Sequence, residues 1–195
     1  MTAFRRTGER LVHQGHVWHV AVAEFVSPDG EVFHRDIVRS PGAVGVLPLV
    51  LDAEGNPSVV LVEQYRPPYE TTVIEIPAGM RDVLDEPPET TASRELAEEA
   101  GLLAGRIEHL IDLLPSPGMT DSITAVYVAT ACAPAPRGVH GPEERHMTVL
   151  HVPLGDALAM VDDGRIRDAK TVAGLLALDR RLRTADGAVS VDTEA

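Results

Sequence analysis

The chain has 195 residues, 44% of them hydrophobic and 24% charged, a length and balance that suit one packed domain with a small appendage and exclude disorder throughout. Thirty acidic residues against seventeen basic give a formal charge of −13, a field that repels phosphate backbones and anionic lipid and so argues against nucleic acid or a membrane surface as partner. If the partner is instead a small anionic molecule, clustered carboxylates holding divalent cations would have to invert that field locally.

From the N-terminus, MTAFRRTGER is not followed by an apolar run, so no signal peptide is expected. Residues 17–26, VWHVAVAEFV, read as a strand, SPDG at 27–30 as a turn, and EVFHRDIV at 31–38 as the hairpin partner. His13, His16 and His19 are evenly spaced, but on extended chain they do not converge, and they are read as surface or structural. A nearly continuous apolar run follows at 42–52, then the turn AEGNP, a strand at 58–66 and a short strand at 71–79 ending in Pro77-Ala78-Gly79. Residues 88–100, PETTASRELAEEA, read as a helix opened by Pro87-Pro88 and stopped by Gly101, with Ala92, Leu96, Ala100 and Leu103 as its apolar stripe.

Strands are predicted at 106–114 and 123–130. A Pro/Gly-rich stretch, 131–145, reads as one long loop, and a loop of that length in a compact domain is usually functional or mobile. It carries Cys132, the only cysteine, so neither an intramolecular disulfide nor a thiolate zinc cluster can form, and a reducing cytoplasm is the expected compartment. A strand at 147–154 and helices at 155–164 and 169–183 complete the fold, and 185–195 is expected to fray. No run approaches the roughly 20 apolar residues that a membrane-spanning helix needs. Many strands and few helices, without strict βαβ alternation, predict an α+β chain with helices on both faces of a mixed sheet.

Glu95, Glu98 and Glu99 stand at i, i+3 and i+4, which puts three carboxylates on one helix face where, unpaired, they repel. An acidic face can simply be solvated. Hard oxygen donors on a rigid helix are also what Mg²⁺ requires, with water and substrate phosphate completing its shell.

Reading outward gives Gly79, six residues, Glu86, seven residues, then Arg94-Glu95-Leu96-Ala97-Glu98-Glu99-Ala100-Gly101-Leu102. This resembles the Nudix box. The second half matches completely; the first half holds one residue more than the pattern, in the loop before the helix, where insertion is cheap. The resemblance implies an α/β/α sandwich around the mixed sheet. It also implies Mg²⁺, with Mn²⁺ as a substitute, held by Glu95 and Glu99, by Glu98 as ligand or support, and by the Ala78 carbonyl. Arg94 would orient the glutamates.

Val62-Glu63-Gln64-Tyr65-Arg66, Glu75-Ile76-Pro77-Ala78-Gly79 and Ser116-Pro117-Gly118 further resemble the ADP-ribose pyrophosphatase branch of that family. By that resemblance Arg66 contacts the diphosphate, and Met80, Ser116 and Gly118 fall at substrate-side positions. Glu75 either binds ligand, positions a loop or makes a structural ion pair. Residues 1–40 would form a small antiparallel hairpin domain through which a homodimer assembles and which supports the adenine, 41–184 the catalytic domain, and 185–195 a tail. Trp18 is then a stacking aromatic, or alternatively plain core or interface. Arg35 and Asp36 lie on the adenine side, with Arg39 as an alternative. The general base would come from the 131–145 loop, Glu143 first and Glu144 second. Arg145 and His146 stand where some relatives carry acids, so a further metal ligand from this loop is not expected. The reaction implied is hydrolysis of ADP-ribose to AMP and ribose 5-phosphate. A Nudix hydrolase of another sugar nucleotide or dinucleotide, and a non-catalytic ADP-ribose-binding module, are the alternatives.

Overall fold

In the computed structural model, residues 3–52, 54–138 and 141–184 are described; the fraying expected over 185–195 lies outside them. The chain divides into two compact units, each described by itself. The smaller comprises the chain up to Gly42 together with Leu114–Ile123. Its sheet is antiparallel, ordered β1 (Arg5–Gln14), β2 (His19–Val26), β3 (Val32–Arg39). The hairpin expected from the sequence is β2–β3, and its turn closes through Gly30 N–H to the Ser27 carbonyl at 3.0 Å, with Gly30 at φ 94. Strand β1 was not expected. All ten of its residues are exposed, so it carries no apolar alternation to read. The mid-chain segment joins β3 through Val38 N–H to the Met119 carbonyl at 2.9 Å and Thr120 Oγ1 to the Val38 carbonyl at 2.7 Å.

Strands buried on both faces build the larger unit. Its seven-stranded sheet runs β12 (Thr148–Pro153), β5 (Pro57–Arg66), β4 (Ala43–Leu51), β10 (Thr124–Thr130), β9 (Arg106–Leu113), with β6 (Thr71–Glu75) on β5 and β7 (Ala78–Met80) on β4. Only the β4–β10 pair is parallel, so the sheet is mixed. Val46, Val60, Tyr127 and Ala129 pack with Ala92 of the helix α1 (Pro88–Glu95) and with Leu96 directly after it. Their neighbours Leu47, Val59, Leu61, Val126 and Val128 pack on the other face with α3 (Leu154–Asp162) and α4 (Ala169–Thr184). Adjacent residues thus serve opposite faces, as a pleated strand dictates, and each fully buried Val or Leu contributes about 1.5–3 kcal/mol. The expected sandwich of helices around a mixed sheet is what forms.

Three local readings change. The single strand expected at 71–79 is two: after Glu75 the chain leaves β5, and Pro77, which has no N–H for a ladder, gives only its carbonyl, to Val46 N–H at 2.8 Å, before β7 starts on β4. That hand-over places Ala78 and Gly79 opposite β4. The apolar stripe ends at Ala100. Gly101 takes φ 66 and stops the winding, so Leu102 (8% exposed) and not Leu103 (55%) continues the buried set. The stretch 131–145 is not all loop: β11 (Ala133–Pro134) pairs with β8 (Leu102–Leu103), and Pro142–Arg145 form a single turn, α2.

Candidate active site

The acidic helix is positioned from both ends. Pro88 enters at its first turn, where a missing N–H costs nothing. Beyond Glu95 the winding loosens, and Leu96–Ala100 form a π-turn that carries Glu98 and Glu99. Such turns are rare and concentrate at functional sites. Ala92, Leu96 and Ala100 anchor the helix on the sheet.

Strand β7 supplies the opposing wall. A Cβ on Gly79 would overlap the Glu95 carboxylate, so only glycine lets that side chain lie there. Ala78 N–H donates to Glu99 Oε2 at 2.8 Å. Glu99 is 5% exposed. Burial, reinforced by the neighbouring Glu95 and Glu144, pushes its carboxyl up to about 8, against the pull of the Ala78 bond and Arg66. Burial raises Glu95 as well, partly offset by Arg94. Arg94 Nη1 lies 2.7 Å from Glu95 Oε1 and 3.2 Å from Glu98 Oε2, while Nη2 is 3.5 Å from Glu86 Oε2. Glu86 is held in turn by Thr91 Oγ1 at 2.7 Å. The extra residue in the loop before the helix therefore does not displace Glu86; the chain turns at Asp85, φ 60, immediately before it. Among the described residues Arg94 Nε has no hydrogen-bond partner, and Nη2 has only the long ion-pair contact to Glu86.

These groups line an open cleft of about 390 Å³ that also contains Arg66, Ala78, Gly79, Met80, Glu143 and Glu144. Arg66 stands on the opposite rim, held by Glu75 through Nε to Oε1 at 2.5 Å and Nη2 to Oε2 at 2.8 Å. Glu75 is 3% exposed and also receives Lys170 Nζ. Two arginines thus face six carboxylates, Asp82 included, a formal −4 in one cleft. A divalent cation fits that donor set: all-oxygen ligands on a rigid helix, and a buried carboxyl driven up in its absence. Among the described residues no three acidic, histidine or cysteine side chains form a ready-made chelate. Glu95 and Glu98 turn toward Arg94, and Glu99 toward the Ala78 amide.

The remaining candidates fall in the smaller unit. Arg35, Asp36, Arg39 and Gly118 line a cleft of about 280 Å³ there. Arg35 lies over the Phe33 ring at 4.8 Å, and Phe33 stacks on Phe25 at 5.5 Å. Arg39 is not open to a ligand in the same way: it binds Glu9, and Asp121 at 2.9 Å. Ser116 closes the turn of the mid-chain segment, its carbonyl accepting Met119 N–H at 2.9 Å. Trp18 is 54% exposed, which removes its reading as core.

Gln64 and Tyr65, which the sequence marks only as part of the family resemblance, also line the acidic cleft, as do Pro67 and Asp82, for which it gives no site signal. Asp168, Lys170 and Thr171 were not among the expected residues. A signal for these existed: a lysine in the first turn of a helix opposes the helix dipole, and so needs a specific anionic partner.

The profile of the NUDIX domain matches residues 40–184, and the chain belongs to the Nudix family. It is 36% identical over 161 residues to the methanol dehydrogenase activator of Bacillus methanolicus, covering 83% of this chain and 84% of that protein. It is 35% identical over 175 residues to the ADP-ribose pyrophosphatase of Mycobacterium tuberculosis (strain ATCC 25618 / H37Rv), covering 90% and 83%. A crystal structure of an ADP compounds hydrolase superposes with a TM-score of 0.80 at 19% identity, over 95% of this chain and 97% of that one, a likeness of fold.

Proposed function

We propose that this protein hydrolyses the pyrophosphate bond of ADP-ribose, with Mg²⁺ (or Mn²⁺), to AMP and ribose 5-phosphate. The observation that carries the reading is the cleft in which Glu95 and Glu99 are packed against Gly79 and Ala78 opposite the Arg66 fork. The substrate assignment is supported by the Mycobacterium tuberculosis relative that bears that name.

Glu95, Glu99 and the Ala78 carbonyl would hold the cation, with Glu98 as ligand or support. Bound divalent cations supply positive charge against the pyrophosphate oxygens and lower the pKa of water. Arg94 holds Glu95 and Glu98 in register. Arg66 has donors beyond the two given to Glu75 and binds the diphosphate bidentately. Glu143, with Glu144 second, takes a proton from the attacking water as its oxygen bonds to one phosphorus and the bridging P–O bond breaks.

The smaller unit is assigned to the adenine side and to homodimerisation, with Trp18, Arg35, Asp36, Ser116 and Gly118 as contacts. Support comes from β1, an edge strand exposed along its length, since an uncovered edge strand calls for a partner surface. No helix among the described residues is long and apolar enough to cross a membrane, and a cytoplasmic location is part of the proposal.

The test is a panel of ADP-ribose, other nucleoside diphosphate sugars and dinucleotides with Mg²⁺, scored by kcat/KM and product identity, with light scattering for the oligomer. ADP-ribose should lead by at least tenfold. A different leading substrate would reassign specificity within the family, and tight binding of ADP-ribose without turnover would make the protein a binding module.

A further inference from the structure

Among the described residues lining the cleft, Arg66 is the cationic fork on the rim facing the helix glutamates, yet a buried carboxylate, Glu75, binds it bidentately. With Asp168 also close by, a one-to-one pair would leave that rim net negative and poorly suited to an anion. The pair is not one-to-one. Lys170 Nζ reaches the same Glu75 oxygen that Arg66 Nη2 uses, and lies 3.1 Å from Asp168 Oδ2. Asp168 in turn accepts Thr171 N–H at 3.0 Å and Thr171 Oγ1 at 2.6 Å, capping the start of α4. The Thr171 hydroxyl oxygen accepts Ile76 N–H at 2.8 Å, which pins the backbone one residue past Glu75. The first turn of α4 thus grips both the side chain of Glu75 and the strand that carries it.

We propose that Lys170 is a positioning residue for the substrate diphosphate: by sharing Glu75 and pairing with Asp168 it keeps that wall from turning net negative while the Arg66 fork stays fixed. The inference rests on the reading of Arg66 as the diphosphate ligand. Burial alone would raise Glu75, yet Arg66 and Lys170 together hold it below the ordinary carboxylate value, so the carboxylate is charged and divided between two cations. Against Glu75 and Asp168, both cations are needed to keep that wall from net negative charge, and of the two it is Arg66 that lines the cleft.

The experiment is a double-mutant cycle read by calorimetric binding of ADP in Mg²⁺, which needs no turnover, alongside turnover of ADP-ribose. Lys170→Met should weaken ADP binding about tenfold in the otherwise native protein and less than twofold in an Arg66→Met background. Its effect on ADP-ribose turnover should fall on KM, with kcat within about threefold. Lys170→Arg, which keeps the charge, should bind within twofold of the native protein. Equal losses in both backgrounds, no loss in either, an Arg variant as poor as the Met variant, or no ADP binding by the native protein would each overturn the inference. Intact coupling in a protein that does not turn over ADP-ribose would instead overturn the catalytic reading and leave Lys170's role standing. If Lys170→Met does not fold, the Lys170→Arg result decides alone.

Discussion

The Glu95 carboxylate occupies the space in which a side chain on Gly79 would begin. Glycine at 79 is therefore a requirement of the glutamate's position, not of backbone freedom. Gly79→Ala should keep the fold, because the obstructed group is the end of a flexible side chain that can swing away. Overpacking of this kind costs about 1–3 kcal/mol. It should still lower kcat/KM by about 100-fold, since about 1 Å of misplacement at a catalytic centre can cost that much. Urea melts paired with kinetics check it; near-native kcat/KM would mean Glu95 works from another position.

Glu99 separates stability from activity. A carboxyl that burial drives up to about 8 is uncomfortable in the metal-free fold. Glu99→Gln removes the titration and keeps an oxygen for the Ala78 amide. Its melting temperature in chelator should equal or exceed that of the native protein. Its kcat should drop by about 100-fold or more, on the scale of losing one preorganised electrostatic group. Mg²⁺ should raise the melting temperature of the native protein and not of the variant, as binding linkage demands. A variant still stabilised by Mg²⁺ would remove Glu99 from the ligand set.

Glu75 gives a pH signature of defined sign. Burial opposes its ionisation, but Arg66 and Lys170 prevail, and the folded carboxyl lies below its ordinary 4.5. A depressed carboxylate stabilises the fold above the unfolded value, and that stability is lost as pH falls through the folded one. Glu75→Gln should therefore cost the most at pH 7, about 3–5 kcal/mol for breaking a buried pair. The gap to the native protein should begin to close only below pH 4.5. Denaturant titrations at pH 7, 5 and 3.5 measure it; a gap that is flat down to pH 3.5 contradicts the assignment.

How much of this was legible in sequence depended on pattern length. The core strands wrote themselves in runs such as GAVGVLPLVL, and the helix glutamates in an unbroken motif. Strand β1 did not, because a strand exposed on every residue has no hydrophobic period. Nor did the break at Ile76-Pro77, which depends on which neighbour each half pairs with, a tertiary fact. Lys170, the second partner of Glu75, lies 95 residues away, beyond any local spacing rule. The mid-chain segment that joins the N-terminal sheet was hidden for the same reason: the bond from Ser40 N–H to Asp121 Oδ1, at 3.1 Å, spans 81 residues.

That segment makes a prediction of its own. Arg39 is largely buried between Glu9 of β1 and Asp121, and so ties two separate stretches to β3. Arg39→Ala should speed amide exchange at Ser40 and Thr120 by about tenfold, which corresponds to the roughly 1.4 kcal/mol of local stability that a tenfold change represents. Amides of β4 and β10 should be unchanged. Exchange that accelerates equally in the seven-stranded sheet would show a global loss of stability and not a local tie.

The last prediction concerns the proton. Glu143 and Glu144 both line the acidic cleft from the short turn Pro142–Arg145, and a general base contributes about 10²–10⁴ in rate. A base acts on chemistry and not on binding, so Glu143→Gln should lower kcat by about 100-fold while KM for ADP-ribose and the Mg²⁺ concentration for half-activation stay within twofold. Glu144→Gln should lower kcat less than fivefold. The reverse order would transfer the role to Glu144. Because a group that helps hold the cation would shift the half-activation concentration, that measurement distinguishes a base from a ligand. Small kcat losses in both variants would place the proton acceptor outside this turn.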